Sequence, residues 1–471
     1  MMRASCQPRR TRGRVWRALL VVRVLCGVAS PALAQPSPPV FPITLQDAIR
    51  YASDNYPGIR AAQARVAAQE SGVDLAHTAY LPRVDWSLQI NRATRNNVAG
   101  LLLPGTTIPA ISGPVSGDTS WSSIWGSGAG VLLSWEAFDF GQRRASVDLA
   151  RALVVRANAG ADIARLDVAV KTADAFLRLA AAQETVRAAR ANVERQQVFA
   201  NVVAALVTNQ LRPGADDSRA RAELALARIQ LIQAEQGEQI ARASLAQWLG
   251  VQPASVQIAG GPLLQAPPPG PAAAAVVTTH PVAEAQMAAV ESSLALQHAL
   301  GRSYAPRINF QTAYSLRGTG ATANGTHLGG SHGLDFDTPN WAVGFTATFP
   351  MFDWFSLRER TRIEAHNERA ERATYDRVMQ ELSAQMEQAR AEMEGTRRVA
   401  ENTPIQLQAA RVLEQQSRAR YDAGLATIIE VADSQRLLLQ AEVGDAVARL
   451  GVWRALVADA AARGDISELL K

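Results

Sequence analysis

The chain has 471 residues, enough for two or three ordinary domains or one large duplicated one. Its 48 Lys and Arg against 43 Asp and Glu give a formal charge of +5, but seven Arg and no acid lie within residues 1–34. The other 41 basic and 43 acidic residues leave a net of −2, which excludes a nucleic-acid reading built on the high isoelectric point.

Residues 1–34 carry the three parts of a secretory signal. An Arg-rich start is followed by an apolar run from Ala18 to Ala29, broken by Arg23, and then by Ala32-Leu33-Ala34 before Gln35. The expected cleavage follows Ala34. A membrane anchor would need about 20 apolar residues, more than this run supplies. A lipidated Cys26 would want a small residue where Leu25 stands. Cys6 and Cys26 both precede the cleavage point, so the mature chain has no thiol for a disulfide or a metal site. No later window reads as a transmembrane helix, so any membrane entry must use a β-barrel.

The first repeat, 35–252, opens with Thr44 and Asp47 placed to cap a helix that starts at Leu45. A second helix spans about 58–80 and ends at Pro82. Val84, Trp86, Leu88 and Ile90 then alternate with Asp85, Ser87, Gln89 and Asn91, which predicts a strand over 84–91 with one apolar and one polar face. A loop rich in Gly, Thr, Ser and Pro leads to a returning strand over 125–136. This strand carries Trp125, Val131, Leu133 and Trp135 on one face and is closed by Phe138-Asp139-Phe140-Gly141. Residues 142–207 contain no proline; as one helix they would span roughly 100 Å. Spacings of three and four through Ile163, Leu166, Val170, Ala173, Leu177 and Ala180, and again from Val186 to Val207, read as a coiled-coil seam. Pro213-Gly214 turns the chain into a helix over 216–249.

A Pro-rich linker covers 253–279, and the second repeat covers 280–471. Its strands are expected at 308–317 and 341–350, the latter carrying Trp341, Val343, Phe345 and Phe349. A long helix is expected over 357–421 with a kink at Pro404, then a turn at Gly424 and a helix over 427–462. The duplication is explicit. Tyr80-Leu81-Pro82-Arg83-Val84 returns as Tyr304-Ala305-Pro306-Arg307-Ile308, and Tyr56-Pro57 returns as His280-Pro281, each 224 residues later.

Four strands of this length match the ~9–11 residues that a tilted strand needs to cross a bilayer. Four cannot close a barrel, which takes about eight, and open edges are not tolerated in lipid. Several copies must each donate four, giving twelve strands in a trimer, with the helices continuing the barrel as a tube. Trp86, Trp125, Trp135, Trp341 and Phe349 are candidates for an aromatic girdle at the membrane interface.

Thr44-Leu45-x-x-Ala48, the Pro57 and Ala61 spacing, Leu81-Pro82-x-Val84, Phe138-Asp139-x-Gly141 and Tyr421-x-x-Gly424 together resemble the outer membrane efflux protein (TolC-like) family. The likeness covers nearly the whole mature chain in both repeats. It implies a mainly α protein with a membrane β-barrel: a homotrimer whose twelve-stranded barrel in outer-membrane lipid is continuous with an α-helical barrel in the periplasm. It further implies a passive duct without a cofactor, docked on a periplasmic adaptor and an inner-membrane transporter. Small-molecule efflux is the expected role, with type I protein secretion as the alternative.

The same resemblance places a gate at the periplasmic tip. Tyr421 matches the family's gating tyrosine and Asp216 its acidic partner, while Ala426 stands where an Arg is common. Arg212 or Arg420 could replace that Arg. Glu430 and Asp433 share a helix face, and threefold symmetry would stack them as two acidic rings able to bind cations.

Enzyme patterns are weak. Gly329-Gly330-Ser331-His332-Gly333 has the spacing of a nucleophile elbow, and Gly318-x-Gly320-x-x-Ala323 that of a dinucleotide loop, but both lie in a loop between amphipathic strands. His327 and His332 in that loop could contact a metal, but exposed loop histidines are usually bland. A non-pore periplasmic coiled-coil scaffold is the competing class, and it has no use for membrane-length strands flanked by aromatics.

Overall fold

The computed structural model describes residues 41–94, 119–264, 279–322, 326–351 and 353–467. The expected signal segment lies outside them, as do the middle of the first loop and the end of the linker. The elements, in order, are α1 (Leu45–Asn55), α2 (Pro57–Thr78), β1 (Arg83–Thr94), β2 (Ser123–Phe138), α3 (Gln142–Thr208) and α4 (Gly214–Leu249). There follow α5 (Pro281–Arg302), β3 (Arg307–Thr319), β4 (Thr338–Thr348), α6 (Trp354–Asp422) and α7 (Ile428–Arg463). Each half thus runs helix, strand, strand, very long helix, helix, with α1 added before the first. The chain is mostly helical, and no described helix is long and apolar enough to cross a membrane.

The four strands make one antiparallel sheet in the order β1-β2-β3-β4. Residues opposite one another in register share a face. Trp86, Val131, Tyr314 and Trp341 form one row across the sheet; Val84, Leu133, Thr312 and Val343 form the next. Trp86, Val84, Leu88, Ile90, Val343 and Phe345 are all largely exposed on that face. The opposite face is built of rows such as Ser87, Gly130, Ser315 and Asn340, or Gln89, Gly128, Arg317 and Thr338. Among the described residues β1 and β4 each pair with one strand only, so both edges of the sheet are open.

β1, β2 and β3 exceed the expected spans at both ends, whereas β4 is shifted, starting at Thr338 and ending at Thr348, short of the expected 350. β1 continues past Asn91 because Arg92 meets β2 twice: its Nε donates to Ser123 Oγ at 3.0 Å, and its guanidinium sits 5.2 Å from the Trp125 ring centroid. Such cross-strand pairing leaves no trace in the period of one strand.

The helices form a row in which α4 packs on α3, α3 on α7, and α7 on α6. α3 and α6 are 67 and 69 residues long, roughly 100 Å each. Neighbours in the row alternate in direction. Below its middle α3 keeps a three-four seam through Val186, Ala189, Asn192, Gln196, Phe199 and Val203. Around Val168–Ala180 the seam description fails, because α1, α2 and α5 also pack on α3 and bury it on several sides. Ile163, Leu166 and Val170 are only partly buried, whereas Phe176 and Leu179 are fully enclosed.

α6 runs unbroken through Pro404. Pro404 removes the helical donor for the Ala400 carbonyl, and it lies on the exposed side, where water can serve instead. The Thr403 hydroxyl, 3.5 Å from that carbonyl, is better placed toward Asp445 Oδ1 at 3.0 Å.

The principal core gathers α1, α3, α4 and α7 around Phe176, Leu179, Leu245 and Leu450. The start of the Pro-rich linker belongs to it. Val256 and Leu263 are buried, Trp453 Nε1 donates to Leu263 O at 3.0 Å, and Ile43 forms a parallel bridge to Ile258. Two short 3-10 turns, Pro253–Ser255 and Gly261–Leu264, shape this segment.

The seam between sheet and helices is held by Asp139. Its carboxylate accepts from the backbone N–H of Gly141 and Arg143 and from Arg143 Nε at 3.0 Å. The Arg143 guanidinium also lies 4.8 Å over the Tyr80 ring, and Trp135 Nε1 donates to Tyr80 O at 3.1 Å. Burial alone would raise the Asp139 pKa, but the Arg143 and Gly141 donors outweigh it and hold the carboxyl below its ordinary value. Asp139→Asn should therefore cost about 1–2 kcal/mol at neutral pH. A lowered native pKa gives stability that is present above the ordinary carboxylate value and lost as pH falls through the native one. Denaturation of wild type and variant should then converge as pH falls through the lowered native value.

Candidate functional site

At the far end of the row the two helical hairpins meet. The first turn, residues 209–213, joins α3 to α4, and the second, 423–427, joins α6 to α7. Gln210 and Gly424 take left-handed backbone conformations to close them, with φ of 61° and 77°.

A small core locks the two turns together. Phe199 and Val203 of α3, Ala220 and Leu224 of α4, and Ile428 and Val431 of α7 surround Tyr421, which is fully buried. The Phe199 and Tyr421 rings meet edge-on with centroids 5.3 Å apart. Tyr421 Oη donates to Asp216 Oδ2 at 3.3 Å, so the two residues expected at the gate are brought together from different repeats. Burial, then the Asp216 carboxylate, push the Tyr421 phenol pKa up against the opposing pull of Arg212, keeping the hydroxyl a donor.

Ala426 lies inside this core and bears no charge. Arg420 turns back on its own hairpin and donates to Leu425 O at 3.4 Å. Arg212 instead crosses between the turns. Its Nη2 donates to Tyr421 O at 2.8 Å, and its guanidinium lies 4.4 Å from the Tyr421 ring centroid.

Glu430 and Asp433 stand apart from that cluster. Glu430 completes a capping box with Thr427 at the start of α7. The Thr427 backbone N–H, followed by its hydroxyl and the charge of Arg420, holds the Glu430 carboxyl below its ordinary value. Asp433 pairs with Arg436 at 2.8 Å. Both carboxylates are exposed.

The aromatics fall at different heights of the sheet. Trp135 and Phe349 lie at its helix end and Trp125 at its loop end, while Trp86 and Trp341 share the row through Val131. The Gly329–Gly333 pattern lies in a turn with no helix after it, unlike a nucleophile elbow. It folds against the sheet: a Cβ on Gly333 would come within 2.1 Å of Trp125 O. Sequence reasoning missed Phe199, which follows Gln196 by three in the seam and was detectable by that spacing.

An open-edged amphipathic sheet continued by a row of very long helices defines an outer-membrane channel with a helical extension. A family model for outer membrane efflux proteins matches residues 48–251 and 280–459, and the chain belongs to that family. Its place is the outer membrane. It is similar to Protein CyaE of Bordetella pertussis, 29% identical over 242 residues, covering 50% of this chain and 47% of that protein. The chain thus matches about half the length of this curated relative. Its fold is that of the CmeC outer membrane channel of Campylobacter jejuni, with a TM-score of 0.72, 15% identity, and 89% and 85% of the two chains covered. The outer membrane protein VceC of Vibrio cholerae has the same fold, with a TM-score of 0.70, 16% identity, and 89% and 96% covered.

Proposed function

We propose that three copies of this chain form a passive outer-membrane export duct for small molecules, closed at its periplasmic tip and opened by partner proteins. The observation that carries the proposal is the sheet: one face apolar and exposed, the other polar, both edges unpaired. The first face suits lipid and the second a water-filled lumen. Copies joined β4 to β1 remove every edge, and three of them give twelve strands.

The helix row supports the same closure. Its outer members are α4 and α6, and each carries an uncovered apolar seam. On α4 the seam runs through Leu226, Ile229, Ile232 and Ile240. On α6 it is a shallow groove of Ile405, Gln408, Ala409, Val412, Leu413 and Gln416. Counted along the helices at ~1.5 Å per residue, the α4 seam lies roughly 18–39 Å and the α6 groove roughly 9–26 Å from the tip, so the two overlap in height. Rotation that pairs β4 with a neighbouring β1 brings α6 onto the neighbour's α4, and the two run antiparallel.

The duct needs no cofactor and carries out no catalytic step; the energy and the choice of cargo come from an inner-membrane transporter acting through a periplasmic adaptor. Leu211 and Leu425, 214 residues apart and equivalent in the two turns, are exposed at the tip as apolar knobs for such an adaptor. Tyr421 and Asp216 form the gate; Trp125, Trp135 and Phe349 serve as membrane-interface aromatics, with Trp86 and Trp341 on the lipid face between them. Heat-modifiable migration in outer-membrane fractions, with conductance in planar bilayers, tests the proposal. Recovery wholly in the soluble periplasm would end it.

In the trimer Glu430 and Asp433 become two acidic rings. Glu430→Gln with Asp433→Asn preserves the Gln-compatible capping box while removing six charges, and should weaken divalent-cation block of conductance about tenfold. The lowered Glu430 pKa means its charge is retained above the ordinary carboxylate value and lost only below it. Block by the wild-type channel should therefore be the same at pH 7 and at about pH 5. Block that is insensitive to the double substitution would remove the rings.

A further inference from the structure

We propose that each chain carries a binding site for a small aromatic cation in the cleft where α7 ends and α5 begins, a place that the first repeat fills with its own side chains. The site lies within one chain and does not rest on the duct reading.

The duplication supplies the comparison. α2 and α5 are each 22 residues long and start 224 residues apart; α4 and α7 are each 36 residues long and start 214 apart. In both repeats the residue before the shorter helix meets the last turn of the other, beside a long helix. The first of these joints is solid. The Tyr56 and Trp248 rings lie 5.0 Å apart, packed with Ile59 and Val168. Lys171 of α3 completes it: its ammonium stands 5.7 Å from the Trp248 ring centroid and pairs with Asp167 at 2.8 Å.

The matching positions in the second repeat are His280, Ala462 and Gln385, with Glu381 where Asp167 stands. The indole and the ammonium are both gone. Leu382, the counterpart of Val168, is still buried. Residue 280 cannot refill the space with a ring in the pose of Tyr56. A Cβ on Gly58 would come within 2.8 Å of the Tyr56 ring, and the counterpart of Gly58 is Val282. The His280 ring turns to the end of α7 instead. Its Nδ1 accepts from Val282 N–H at 3.1 Å and its Nε2 lies 3.1 Å from Ala461 O. Gly464 makes room for it, since a Cβ there would come within 2.8 Å of His280 Cδ2.

What remains is a cleft of about 450 Å³, within the range of small-molecule sites. Val170, Val282, Val378 and Leu382 give it an apolar floor, and Gln385, Glu381 and Glu392 a polar rim. No Lys or Arg lines it among the described residues. Arg377 already meets Glu381, whereas Glu392 makes no ion pair among the described residues. An apolar floor under an uncompensated carboxylate favours a cation with a flat body. The comparison with the first repeat gives the same description, because a ring and a cation are the two parts this joint lacks.

Tryptamine joins an indole to an ammonium, and indole-3-propionate joins the same ring to a carboxylate. Equilibrium dialysis of each against the full-length chain purified from outer membranes tests the site. Saturable uptake of one tryptamine per chain is expected, about tenfold tighter than indole-3-propionate. Gln385→Lys changes an exposed side chain and restores the cation of the first repeat; it should weaken tryptamine about fivefold and leave neutral indole unchanged. Ala462→Trp restores the indole and should remove binding of all three compounds. Absence of saturable binding, equal binding of tryptamine and indole-3-propionate, or tryptamine binding that either variant leaves unchanged would overturn the site. Should Ala462→Trp fail to assemble, Gln385→Lys decides alone. Conductance enters no arm of the test, so a chain that never conducts would end the duct reading and leave this result standing.

Discussion

Val131→Arg is expected to abolish assembly into the outer membrane, with the protein recovered as degraded or soluble material. Val131 lies mid-strand between Trp86 and Tyr314 on the exposed apolar face. Arg at the middle of a lipid-facing strand costs about 2–4 kcal/mol, and a trimer meets that cost three times over. Ser87→Arg is the control. Ser87 sits opposite Gly130 on the other face, where a polar lumen accepts a charge, and the variant should still migrate as a heat-modifiable oligomer. Loss of both variants alike would show that the two faces are not distinguished by lipid.

Ile229→Glu, or Val412→Glu, should convert the proposed trimers to monomers while leaving the circular dichroism of the helices intact. Both side chains are exposed within a single chain, so neither substitution touches its internal core. Each buried aliphatic side chain contributes about 1.5–3 kcal/mol, and three equivalent seams raise the loss to roughly 5–9 kcal/mol before the desolvation of the new carboxylates is counted. Blue-native electrophoresis or sedimentation gives the answer directly. Trimers that persist in both variants would mean that the flanks close by some other contact.

Much of this architecture was legible in the chain. Alternation at period two located every strand, because a sheet wetted on one side and apolar on the other must alternate. The proline-free run from Gln142 and the two turn signatures located the long helices. What escaped is what long-range packing decides. The collar around Phe176 buries α3 on several sides, and no single seam in α3 announces the helices that wrap it. The linker's Val256 and Leu263 read as isolated apolar residues among prolines, yet they complete that core. At the tip, the family resemblance marked Asp216 and Tyr421 as gate partners, but it left Arg212 and Arg420 equivalent. The left-handed Gln210 aims one turn across the gap, while Arg420 bonds back within its own.

The collar has a mechanical consequence. It contains Leu450, and from there to Ile428 α7 is steadied by the small Ala410–Leu438–Ala441 cluster, the Arg195–Glu442 pair and the tip core. That stretch is a lever of roughly 33 Å, so a tilt of about 10° at the collar would swing the tip by about 6 Å. A fulcrum placed so high lets a sub-ångström adjustment in dense packing become a movement the width of a side chain. An engine seated at the tip could work against a stiff upper body without disturbing the strands in the membrane.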